Sequence, residues 1–332
     1  MGILEMKKIA FVFPGQGSQE VGMGRELIEN YPAAARVFER ADELLGYSIT
    51  QICLDGPEEE LRQTINTQPA LYVVSSSALV SILGYETTDT GEIVTPLMKE
   101  DLRRNVLFTA GHSVGEYAAL FAAGAFTFET GLRLVKKRAE LMQKAADERP
   151  GTMAAILGLS AEQVEEAVRR ASETGIVVAA NFNSPIQTVI SGEQQAVQRA
   201  CDIAREMGAK RVVPLNVAGA FHSPLMASAA QELAEALTSA EITDPVVPVI
   251  ANYTAQPQTS ADAIRENLAR QVTGSVRWVE SVRFMLDSGV EGFIELGAGS
   301  VLAGLVKRIA PEAEVTSVGD KSSVDALRKT QG

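Results

Sequence analysis

The segment Gly111-His112-Ser113-Val114-Gly115-Glu116 constrains this chain more than any other feature. An apolar stretch, Val106-Leu107-Phe108, precedes it, and a helix-forming stretch from Glu116 to Ala123 follows. Gly-x-Ser-x-Gly in that setting is the pattern of a nucleophile elbow, a sharp strand-to-helix turn that holds a serine hydroxyl clear of the backbone. It therefore predicts an α/β fold with chemistry at a strand end. A serine hydroxyl is a weak nucleophile and needs a base within hydrogen-bond reach. The chain has only two histidines, His112 and His222. Neighbouring side chains diverge in a strand or sharp turn, so His112 is a poor partner for Ser113. His222 is the remaining candidate, in Ala218-Gly219-Ala220-Phe221-His222-Ser223-Pro224, which reads as a loop between strand and helix.

Periodicity sets out the rest. Ile9–Phe13 reads as a strand running into the turn Pro14-Gly15-Gln16-Gly17. A helical stretch from Glu26 to Gly46 is interrupted near Pro32, and Pro57 opens another helix. Gln68–Leu83 reads as a buried apolar helix, and Phe128–Ala146 as a long helix with Leu132, Val135, Ala139 and Met142 on one face. Between them, Thr87–Arg104 is polar and charged and reads as a surface excursion. Residues 152–217 follow a β-α-β-β-α-β order, the ferredoxin-like arrangement, with strands Met153–Leu159, Ile176–Asn181, Thr188–Ser191 and Arg211–Val217. Its helices are Ser160–Arg170 and Glu193–Met207. The α/β pattern then resumes with a helix Pro224–Leu237, a strand near Val246–Asn252, a helix Val276–Asp287, a strand Gly292–Leu296, a helix Ser300–Ile309 and a strand Glu314–Val318. The expectation is a discontinuous large domain, residues 1–150 and 218–332, interrupted by a subdomain of residues 151–217. The active site is expected in the groove between them.

Composition narrows the partners. The 332 residues include 42 acidic and 30 basic ones, for a formal charge of −12. That balance argues against nucleic acid as the main partner, since phosphate backbones demand a basic footprint. It argues equally against an anionic membrane surface. No apolar run is long enough to span a bilayer. No signal peptide is evident, and only two cysteines, Cys53 and Cys201, are present, without metal-ligand spacing. A cytoplasmic protein without a metal site is expected.

An acyl intermediate on Ser113 needs two donors for its oxyanion. The N–H of Val114, first after the elbow, is the natural first. Gln16 is placed by chain logic to supply the second, although Gly15-Gln16-Gly17 reads equally as a plain tight turn. Gly-x-Gly-x-x-Gly fails as a nucleotide-binding motif because residue 20 is Glu. The imidazole could be oriented by a carboxylate or by a backbone carbonyl. Taken alone, Arg138 reads as a surface residue, like Lys136 and Lys137 beside it.

Phe13-Pro14-Gly15-Gln16-Gly17-Ser18-Gln19, Gly111–Glu116, Gly219-Ala220-Phe221-His222-Ser223 and Glu295-Leu296-Gly297-Ala298-Gly299 together resemble the malonyl-CoA:acyl carrier protein transacylase family. The resemblance covers roughly Lys8 to Ile309, with four motifs in order. It implies a hydrolase-like α/β large domain with an inserted ferredoxin-like small subdomain. It implies transfer of malonyl from malonyl-CoA, as substrate and without a cofactor, to the phosphopantetheine thiol of acyl carrier protein for fatty acid biosynthesis. Ser113 would carry the ester and His222 would be the base, held by the backbone carbonyl of Gln271. Gln16 and Val114 would supply the oxyanion N–H groups. Arg138 would grip the malonyl carboxylate, reversing its surface reading; a planar guanidinium can do so bidentately. Phe221 would restrict branched acyl groups, and Asn181 would line the substrate channel. Two departures stand out: Thr87–Arg104 is longer than the family's usual approach to the elbow, and Val114 replaces the commoner leucine or glutamine. The alternatives are a free-standing acyltransferase of a polyketide synthase, a serine acyl hydrolase, and a non-catalytic carrier-binding module. A hydrolase has no need of a cation at its acyl end, and the Ser–His pair speaks against the module.

Overall fold

A computed structural model describes residues 8–95, 97 and 99–329. Its strands in chain order are β1 (Ile9–Phe13), β2 (Glu86–Thr87), β3 (Ile93–Val94), β4 (Val106–Gly111), β5 (Thr152–Leu157), β6 (Val177–Ser184), β7 (Gln187–Gly192), β8 (Arg211–Pro214), β9 (Val249–Ile250), β10 (Pro257–Gln258), β11 (Gly292–Leu296) and β12 (Glu314–Val318). The main sheet runs β10-β9-β4-β1-β11-β12. All its pairings are parallel except the edge hairpin of β9 and β10.

β1 is buried along its whole length, as a central parallel strand covered on both faces must be. Its side chains divide between two cores at period two. Ile9, Phe11 and Phe13 join a large cluster with the helices Pro32–Leu45, Thr64–Leu83 and Phe128–Glu148. Ala10 and Val12 face the other way, against Trp278, Met285, Phe293 and Leu305. The Thr64–Leu83 helix is buried almost all round, which marks it as the centre of the larger layer. The described sheet order and its helical covers make the chain α/β, with a mainly parallel main sheet, a four-stranded antiparallel sheet and the small antiparallel pair β2-β3.

The second sheet has the order β6-β7-β5-β8 and is antiparallel throughout. The helices Ala161–Ala171 and Gln194–Glu206 cover one face, packing Val164, Val197 and Cys201 on Ala154, Ile156 and Ile190. Ser160 starts the first helix with a reciprocal capping box to Gln163. The opposite face presents Met153, Ala155 and Val189 to the large core. Both faces of this sheet are therefore buried, and β6 is tied to the main body by a bridge from Asn181 to Val276.

Element positions differ from the sequence reading where polar residues or tertiary pairing decide. The Thr64–Leu83 helix starts four residues before Gln68, although it contains Pro69. Pro69 lies in its second turn, so the ring displaces only one early hydrogen bond. β8 stops at Pro214, which has no N–H to continue the ladder. β9 keeps only two residues of the expected Val246–Asn252 strand. The Pro224–Leu237 helix begins as a 3-10 turn over Pro224–Met226. Helices over Ile49–Asp55, Ala261–Gln271 and Lys321–Lys329 and the β10 strand were not anticipated. The Thr87–Arg104 segment is no simple surface excursion. Ile93, Thr95 and Leu97 are buried, the Ile93 N–H donates to Glu129 Oε2 at 3.0 Å, and Thr95 Oγ1 donates to the Ala122 carbonyl at 2.8 Å.

Glu295 explains the Glu-Leu-Gly-Ala-Gly motif. Fully buried at the end of β11, it accepts the N–H groups of Leu302 and Ala303 at 2.9 Å each and the Ser317 hydroxyl at 3.0 Å. An anion there satisfies orphan donors at the start of the Val301–Ile309 helix and meets the positive end of its dipole. Replacing it leaves those donors buried without partners. Glu295→Ala is expected to lower stability by about 3 kcal/mol, measured as a urea midpoint shift at unchanged m value.

Candidate active site

β4 ends at Gly111, and the chain turns sharply into the helix Gly115–Ala122. The motif glycines do not supply unusual dihedrals; the positive φ, 52°, falls on Ser113 itself. The glycines are needed for close approach instead. A Cβ on Gly111 would lie 2.0 Å from the Gly115 carbonyl carbon, and one on Gly115 would lie 2.2 Å from the Phe13 carbonyl oxygen. Strain of about 1–3 kcal/mol at a left-handed serine persists only where neighbours over-determine it. Here Asn252 clamps the turn: its Oδ1 accepts the Ser113 N–H at 2.6 Å and its Nδ2 donates to the Gly111 carbonyl at 2.6 Å.

Ser113 Oγ lies 2.8 Å from His222 Nε2. His222 Nδ1 lies 2.8 Å from the Gln271 carbonyl and 3.2 Å from that of Gly274. Both oxygens can only accept, so Nδ1 carries the proton, Nε2 is the acceptor and the serine hydroxyl donates to it. Burial and the Arg138 charge lower the His222 pKa from its ordinary 6.5 to about 3. The imidazole is therefore neutral at pH 7, with the Nε2 lone pair free to accept the serine hydrogen bond. The other histidine points elsewhere, its Nε2 2.8 Å from Asn183 Oδ1.

Arg138 is buried, at 1% exposure. Its Nη2 donates to Ser113 Oγ and to Gln271 Oε1, each at 3.1 Å, and its Nη1 to Gln68 Oε1 at 2.6 Å. Its Nε has no partner among the described residues. No carboxylate lies within ion-pair distance of the guanidinium among the described residues, and the Tyr117 ring lies 5.8 Å away. A buried cation held only by neutral groups is costly, and it forms an open seat for an anion one hydrogen bond from the nucleophile.

A cavity of about 90 Å³ joins these groups. Gln16, Val114, Asn181 and Phe221 line it together with Ser113, Arg138 and His222, and His112, Gln68, Met142, Met153, Leu215 and Val217 complete its wall. The backbone N–H groups of Gln16 and Val114 donate to no described atom, which leaves them available to an oxyanion. A larger cavity, about 650 Å³, is an open groove along Glu165, Arg169, Phe182, Tyr253 and Arg277. It contains none of these reactive groups, and the convergence of serine, imidazole and guanidinium outweighs its size as a guide to chemistry. Among the described residues no cluster could hold a metal ion, and no helix is long and apolar enough to cross a membrane.

The sequence reading did not single out Gln68 or Asn252. Gln68 is an amide opening an otherwise apolar helical run, and Asn252 follows a strand end; both were signals of a polar task. It also left Glu116 without a role beyond its motif.

The acyl transferase domain model matches residues 10–95 and 97–331. Malonyl CoA-acyl carrier protein transacylase of Bacillus subtilis is 43% identical over 326 residues, covering 98% of each chain. The crystal structure of acyl-carrier-protein-S-malonyltransferase from Bartonella henselae superposes with a TM-score of 0.90 at 39% identity, covering 98% of this chain and 100% of that one. A malonyl-transacylase solved in complex with its type II PKS acyl-carrier protein gives a TM-score of 0.88 at 39% identity, covering 97% and 99%. The chain belongs to the acyl transferase family.

Gly115→Ala must push β1 and the elbow apart, so it is expected to cost about 2–4 kcal/mol and to slow serine acylation, read from urea unfolding and single-turnover rates. Because the His222 pKa lies near 3, kcat/KM should stay level from pH 8 to pH 5, where an ordinary imidazole would lose activity through 6.5. The same shift makes the unfolded chain the better proton acceptor between pH 6.5 and 3. This histidine's contribution to stability is therefore lost as pH falls through that window.

Proposed function

We propose that this acyl transferase moves a malonyl group from malonyl-CoA to the phosphopantetheine thiol of acyl carrier protein through an ester on Ser113, the step that supplies fatty acid synthesis. The single observation that carries the reading is the buried Arg138, 3.1 Å from Ser113 Oγ and without a carboxylate partner among the described residues. A general acyl hydrolase has no use for such a group. A substrate whose acyl end bears a carboxylate would pair with it bidentately, while its thioester carbonyl faces the serine.

In the first half-reaction Ser113 Oγ attacks the thioester carbonyl and its proton passes to His222 Nε2. The oxyanion takes the N–H groups of Gln16 and Val114. The C–S bond then breaks, the departing sulfur takes the proton from His222, and CoA leaves. In the second, the carrier's thiol gives its proton to His222 and attacks the seryl ester, and Ser113 Oγ leaves and is reprotonated. No cofactor enters these steps; malonyl-CoA is the substrate. Transfer must outrun water, which a narrow cavity walled by Met142, Met153, Leu215, Val217 and Phe221 favours. Phe221 would crowd a branched acyl group, and Asn181 would border the acyl path. The same chemistry serves polyketide assembly, to which one of the similar structures belongs.

Intact-protein mass after brief mixing with malonyl-CoA or acetyl-CoA tests this reading. A malonyl adduct is expected on the wild type, none on Ser113→Ala, and release on adding holo acyl carrier protein. Arg138→Ala should slow malonyl loading by about 100-fold or more and acetyl loading far less, because a site built to pair a group discriminates strongly against its loss. Free malonate without a lasting adduct would make the enzyme a hydrolase and overturn the proposal.

A further inference from the structure

Among the described residues His222 makes no contact with a carboxylate; its Nδ1–H goes to two backbone carbonyls. Three glutamates are buried among the described residues. Glu129 pairs with Arg40 at 3.0 Å, and Glu295 holds the Val301–Ile309 helix. Glu116, three residues past the nucleophile and fully buried, faces the site.

Its contacts are all accepted hydrogen bonds. Oε2 takes Gln271 Nε2 at 2.7 Å and the Asn252 N–H at 3.0 Å, and Oε1 takes Gln258 Nε2 at 2.8 Å. The donors cannot turn away. Gln271 Oε1 is engaged by Arg138 Nη2, and Gln258 Oε1 by Asn267 Nδ2 at 3.0 Å. The third is a backbone N–H. Each amide therefore presents its NH2 group to Glu116, an arrangement that an acceptor-only carboxylate satisfies.

The two residues it fixes hold everything reactive. Gln271 gives its backbone carbonyl to His222 and its Oε1 to Arg138, and its Nε2 also reaches the Ser113 carbonyl at 3.1 Å. Asn252 holds the Ser113 N–H and the Gly111 carbonyl. We propose that Glu116 is the positioning anion of this active site. It acts on nucleophile, base and cation through Gln271 and Asn252, in place of the acid that a Ser-His-Asp triad sets directly on the imidazole. Its charge also balances Arg138 when His222 becomes an imidazolium. The titratable groups around it are Arg138, on the Phe128–Glu148 helix, and Tyr117, its neighbour in sequence. Burial pushes the Glu116 carboxyl upward, and its three donors and the Arg138 charge oppose that.

The inference rests on the acyl transferase reading only in needing Ser113 and His222 as the reactive pair, so its test uses a reagent without a carboxylate. Phenylmethylsulfonyl fluoride sulfonylates an activated serine with loss of fluoride, the serine proton passing to the base. Its rate with Ser113 is followed by intact mass, beside malonyl loading and the thermal midpoint. Glu116→Gln keeps the shape but sets an NH2 group against a donor and removes the charge. Folded Glu116→Gln should react about 10- to 100-fold more slowly with both reagents, the range that outer partners of a site residue command, with KM for malonyl-CoA changing less than kcat. A wild-type rate in the folded variant would overturn the proposal. If that variant does not fold, the exchange Glu116→Gln with Gln258→Glu retains one carboxylate across the same contact. At least a tenfold loss supports the proposal, and full activity overturns it. On the wild-type protein, 13C NMR of glutamate-labelled chain should show the Glu116 carboxyl ionised at pH 7; a protonated carboxyl would overturn it without any variant. Should the wild type react with the sulfonyl fluoride but never load malonyl, the substrate assignment fails and this one stands.

Discussion

Gly115 lies so close to the end of β1 that a Cβ there would sit 2.2 Å from the Phe13 carbonyl oxygen. That backbone contact is the constraint on which the site depends. It wedges the start of the Gly115–Ala122 helix against the central strand and drives the turn into the left-handed region at Ser113. The strain is tolerable because β1 is paired on both sides and buried on both faces, so the strand end cannot yield. Ser113 thus leaves the sheet at a fixed angle. Its hydroxyl faces His222, and the Val114 N–H faces the same cavity.

Electrostatics in this cavity follow from burial. Arg138 and His222 are buried, so the Arg138 charge acts at low dielectric on its neighbours. Burial and, after it, this charge keep the nearby imidazole neutral, and among the described residues no carboxylate pairs with the guanidinium. The protein's own negative charge is set back behind an amide, on Glu116, where it does not fill the seat. Two carbonyls choose the imidazole tautomer, a task that needs no charge. One residue, Gln271, therefore touches His222, Arg138 and the Ser113 backbone at once.

Much of this was legible beforehand. The elbow motif named Ser113, and a chain with two histidines leaves little choice of partner. The βαββαβ order of residues 152–217 was readable because each strand is short, apolar and bounded by a cap or turn, as at Ser160 and its Gln163. β9 and β10 were not readable as they stand. Two-residue strands carry no periodicity, and their pairing is decided by the edge they meet. Thr87–Arg104 looked external because its charged residues outnumber its apolar ones, yet Ile93 and Leu97 are enough to anchor it. Arg138 is the sharpest case. Local composition places it with Lys136 and Lys137 on a wet face, and only the helix phase relative to Gln68 and Gln271 turns it inward.

The sequence by itself determined the α/β class and singled out Ser113 and His222, which the fold brings within 2.8 Å, because each is written in residues adjacent in the chain or in a residue type too rare to be ambiguous. The tertiary structure alone decided which amides gather around them. Gln68 lies far in sequence from Asn252, Gln258 and Gln271, and all four are chemically ordinary residues. Their roles come from burial, since an amide removed from water must find partners. In this fold the partners within reach are Arg138, Glu116 and the backbone of Ser113.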